Sequence, residues 1–87
     1  MERFRFVFER WADREFEIHR KCVLDQAFSA ICRDFEEASS ALEHWRREGP
    51  QGARHVETYA ALVEELAAEI EGHLAAHRAG RPLPGGD

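Results

Sequence analysis

The chain has 87 residues, enough for one small domain, and its 44% apolar and 33% charged composition is that of a globular protein. The formal charge of −5 is unevenly spread: residues 1–21 hold six basic and five acidic side chains, residues 22–87 six basic and twelve acidic. That balance lacks the positive field that phosphate backbones and anionic lipid demand, so nucleic acid and membrane surfaces are not expected partners.

The chain opens on an aromatic segment, residues 1–13, containing "RFRFVFERW". Arg3, Arg5, Glu9 and Arg10 interrupt any leader-like apolar run, and no stretch approaches the roughly 18 apolar residues of a membrane span, so a cytoplasmic protein is expected. As a strand, the segment would place Phe4, Phe6 and Phe8 on one face, but no other strand candidate exists to pair with it. As a helix, Phe4, Val7, Phe8 and Trp11 share a face that continues through Ile18 to Cys22. Helix is the favoured reading, with a bend near Asp13, a competent N-cap. Interleaved arginines and rings resemble a base-stacking strip, but Glu2 and Glu9 within it oppose that use. Phe4, Phe8 and Trp11 need cover; folding back on their own helices is one option, and clasping a second subunit is the option preferred here.

A first long helix is expected over residues 14–48, with Leu24, Phe28, Ile31, Phe35, Ala38, Leu42 and Trp45 spaced by fours and threes. This stripe is rotated by about 120° from the aromatic face that ends at Cys22, so one straight rod would be sticky on different sides at its two ends. Residues 49–52 form the break: Gly49 can end a helix and Pro50 cannot continue one. A second long helix follows over 53–79 with Val56, Tyr59, Val63, Leu66, Ile70, then His73 or Leu74, then His77, and Gly80 and Pro82 lead into a tail, 80–87, expected to be mobile.

A loop this short makes the two long helices antiparallel neighbours, setting Trp45 near Val56 and Phe28 near His73. The apolar arc of the second helix, from Leu62 through Leu66 and Ile70 to Ala67 and Ala60, spans about 160°, wider than one neighbour covers. The expected fold is therefore an all-α antiparallel helical hairpin with an aromatic N-terminal segment, two copies joining as a four-helix bundle. The expected contact residues are Phe4, Phe8, Trp11, Ala60, Leu62 and Ala67, facing a second copy or a helix of a partner protein.

Chemistry-bearing residues are sparse. "HRKC" puts His19 and Cys22 one turn apart, and "HLAAH" does the same for His73 and His77, four ligands of the types zinc prefers. On a straight first helix His19 and Cys22 point away from the second, and the spacing matches no specific zinc motif, so no metal or other cofactor is expected. Glu69 precedes His73 by four residues, a spacing that is ordinary for helix pairs. The inward Glu-x-x-His of di-iron bundles does not occur. Cys22 and Cys32 would lie about 15 Å apart along one helix, beyond a disulfide's reach of about 7 Å. Cys32 reads as a small core hydrophobe and Cys22 as the more exposed thiol. Glu36, Glu37, Glu43, Glu64, Glu65 and Glu71 fall on outward faces or their margins, as a solvated surface would. The expectation is a non-catalytic, self-associating adaptor or regulatory module. The alternative is a metal- or ligand-binding bundle built on His19, Cys22, His73 and His77.

Overall fold

The computed structural model describes residues 4–79, with side chains as far as Ala75; the tail and the side chain of His77 lie outside the described residues. The described chain is all-α, with no strand. It runs α1 (Arg5–Arg10), a 3-10 turn (Ala12–Arg14), α2 (Glu15–Leu24), α3 (Gln26–Arg47), a second 3-10 turn (Gly49–Gly52) and α4 (Ala53–Ala79).

α3 and α4 are the long elements and lie side by side in opposite directions. Near the turn the ring of Trp45 stacks on His55 at 4.0 Å, and at the far end Phe28 meets His73 at 5.5 Å. Phe28, Cys32, Phe35, Ala38 and Leu42 of α3 and Val63, Leu66, Ile70 and Leu74 of α4 are buried between them and the segments above. The turn depends on two glycines. Gly49 has φ of +72°, the left-handed conformation in which a Cβ is strained. Gly52 is buried against the carbonyl of Trp45, and a Cβ there would overlap that backbone oxygen.

The chain breaks at the bend expected near Asp13 and again, at Asp25, inside the single helix expected over 14–48. Trp11 leaves helical geometry (φ −121°, ψ 54°) and the chain turns through residues 12–14 before α2 starts. Asp25 then takes extended backbone (φ −139°, ψ 102°) and caps α3, its carboxylate accepting from the Phe28 N–H at 3.1 Å. This second break resolves the two rotated faces, because α2 and α3 can each turn their apolar side to the core independently. It also overturns one assignment: Leu24, read as the first residue of the core stripe, is 74% exposed at the end of α2.

α1 has six residues, too few to hold as an isolated helix, and no side chain of its own caps it. It is held by what it lies on. Phe4 (5% exposed), Val7 and Trp11 (6%) enter the core, with Trp11 tilted against Phe35 at 5.4 Å. The aromatic segment is thus covered by its own α3 and α4, and the expected clasp on a second subunit is corrected for Phe4 and Trp11. Phe8 is half-buried and stacks on His19 of α2 at 5.0 Å. Ala67 is buried and Ala60 half-buried, on the flank of α4 that faces α1, so this edge of the wide apolar arc finds its cover within the chain. Leu62, on the opposite flank, stays 39% exposed.

Candidate functional site

Two surfaces flank the core, and the seat of α1 shows what this helix pair can hold. Four acids of α3 and α4 receive α1 and Trp11. The Val7 N–H, one of the donors that a helix start leaves unpaired, donates to Glu36 Oε2 at 2.6 Å. Arg10 donates to both oxygens of Glu64 at 3.0 Å each, a bidentate pair. Trp11 Nε1–H donates to Glu71 Oε2 at 3.2 Å, and Arg5 lies 3.6 Å from Glu43. The hydrogen bond to Glu64 holds the Arg10 guanidinium above its ordinary pKa, and the same bond lowers the Glu64 carboxyl. These four acids are therefore not the idle solvated surface that the sequence implies. No periodic pattern could have joined partners 29 to 60 residues apart; the only hint was an Arg/aromatic strip in an acidic chain.

The first open surface lies on α2. Phe16, Val23 and Leu24 are 79%, 78% and 74% exposed, and with Arg20 between them they share one side of the helix. Arg20 has no ion-pair partner among the described residues. The opposite side of α2 buries Ile18 and rests on α3, so α2 is fixed in place while its outer face is bare. Sequence reasoning missed this surface because it merged α2 with α3 and assigned Leu24 to the core.

The second is a groove of about 300 Å³ between α3 and α4. Ala38, Ala41 and Leu66 form its floor, Tyr59 and Leu62 one wall, and Asp34 and Glu37 the rim. Asp34 precedes Glu36 by two positions, or about 200° around the helix, so this groove lies on the reverse of the pair from α1. Neither rim acid has an ion-pair partner among the described residues.

Of the four metal-ligand candidates, His77 has its side chain outside the described residues, and the other three do not gather into one site. His19 stacks under Phe8, Cys22 is half-buried against the core, and His73 packs on Phe28. Among the described residues no three of His, Cys, Asp and Glu gather as a cation site would need. No described helix is long and apolar enough to cross a membrane. Comparison with protein-family models, curated proteins and solved structures finds no match to this chain.

Proposed function

We propose that this protein is a self-associating helical interaction module without catalytic activity, an adaptor or regulatory element whose contact surface is the outer face of α2. The observation that carries this reading is the exposure of Phe16, Val23 and Leu24 together on an anchored helix. Singly exposed apolar residues are ordinary, whereas a contiguous patch on a small domain marks a place of contact. Full burial of each side chain contributes about 1.5–3 kcal/mol. Association costs at least about 4 kcal/mol in lost freedom of motion. A patch of this size therefore supports reversible association, made and broken with concentration, in place of a permanent dimer. Homodimerisation and receipt of a partner helix both fall within this reading.

Sedimentation equilibrium over a hundredfold range of concentration tests it. The average mass is expected to rise with concentration for the natural chain and to stay at the monomer value for a Phe16→Ser/Leu24→Ser variant. A natural chain that remains monomeric at every concentration would refute self-association.

A further inference from the structure

We infer that copies of this chain join head to tail, with the α2 face of one molecule seated in the acid-rimmed α3–α4 groove of the next. The inference rests on the self-association proposed above and names the surface that receives α2. Three observations support it.

The first is charge. The α2 face carries Arg20 among Phe16, Val23 and Leu24, and the groove offers Asp34 and Glu37 beside an apolar floor. Each surface has what the other lacks.

The second is an internal precedent. On its other side the same helix pair already holds a short helix by this chemistry: apolar residues inward, Arg10 on Glu64 and Arg5 beside Glu43. α2 presents the same elements as α1, an aromatic ring, aliphatic side chains and an arginine on one face.

The third is what happens when α2 meets its own copy. Antiparallel packing of Phe16 against Leu24 of the other molecule places Arg20 beside Arg20, and a parallel arrangement does so as well. A symmetric α2–α2 contact would bring two like charges together at its centre. Docking into the groove replaces that repulsion by attraction. Because the two surfaces differ, the contact is heterologous, and a bound pair leaves one surface of each kind open.

Two variants give the test, each altering exposed positions so that the monomer fold is kept. Phe16→Glu spoils the α2 face and sits in the first turn of α2, where an acid is favourable. Leu62→Arg spoils the groove with a good helix former. Circular dichroism checks that both remain folded. By sedimentation, the natural chain should form a series of species beyond dimer as concentration rises. Each variant alone should be monomeric, its self-association weakened at least tenfold. Mixed one to one, the variants should form a dimer and nothing larger, since one supplies the only intact groove and the other the only intact α2 face. If Leu62→Arg associates by itself as the natural chain does, and the mixture forms no heterodimer, the α2 face binds its own copy and the head-to-tail inference is overturned while self-association stands. If the natural chain is monomeric throughout, both are overturned.

Discussion

Glu36 stands in the middle of α3, yet its carboxylate serves as the cap for a helix 29 positions earlier. Glu36→Ala should therefore cost about 0.5–2 kcal/mol, the range for loss of a capping group, although the residue is outside the core and α3 itself tolerates alanine well. Chemical denaturation reads this, and Glu37→Ala, one residue along and on the rim of the reverse groove, should have little effect. Two glycines make a sharper pair. Gly52→Ala drives a methyl group into the Trp45 carbonyl and should destabilise by about 1–3 kcal/mol, as overpacking does. Gly72 lies exposed within α4 with open space where a Cβ would point, so Gly72→Ala should stabilise by about 0.4–1 kcal/mol. Thermal unfolding of the two variants should move in opposite directions; a shared sign would mean that the turn or α4 is packed differently.

At the scale of elements, α1 is a short helix held by distant groups, and one of its ties responds to acid. The Glu64 carboxyl is lowered from its ordinary value of 4.5 by the hydrogen bond from Arg10. A depressed carboxylate stabilises the folded state fully above its ordinary pKa, and the gain is lost as pH falls through the lower, folded value. The seat of α1 should thus be unchanged from pH 7 to about 5 and loosen below about 4.5, by a modest amount because Glu64 is exposed and the pair is screened by salt. Raising the pH should not release it, since the hydrogen bond to Glu64 holds the Arg10 guanidinium above its already high ordinary pKa. Trp11 fluorescence in a Trp45→Phe background would follow the ring, and the acid transition should be blunted in Glu64→Gln.

The elements also show why the sequence was readable only in part. The turn at Gly49 and Pro50 announces itself because glycine and proline act on the backbone where they stand. The seam from Phe28 to Leu42 is legible because its period is local. The break at Asp25 left two traces, an N-cap residue within an apparent helix and a core face that jumps by about 120° between Cys22 and Phe28. Read together they imply two helices; read as one rod they wrongly bury Leu24. The salt links of α1 left no local trace, since Arg10 and Glu64 are 54 residues apart and neither has a spacing that refers to the other.

As a whole the molecule is elongated, with extents of 54 × 26 × 21 Å and a radius of gyration of 15.2 Å, against roughly 12 Å for a globe of this length. α3 and α4 run for about 33 and 40 Å at 1.5 Å per residue, and α1 and α2 both rest on α3. The reverse side is open, acidic at its rim, and offset from the bare face of α2. Contacts between such surfaces combine apolar burial with one exposed charge attraction, so their strength should fall by a modest factor between 0.1 M and 1 M salt but not vanish. Sedimentation at the two ionic strengths measures this. Complete loss of association at high salt would mean that charge alone joins the copies, and no change would mean that Arg20 takes no part.

The distance in sequence between α1 and its seat has a consequence for how the molecule comes into being. On the ribosome Phe4, Val7 and Trp11 are made first, while Glu64 and Glu71, which help to fix them, are made some 54 to 60 residues later. At about 5–20 residues per second the nascent chain spends several seconds with these rings uncovered, a natural client for a chaperone.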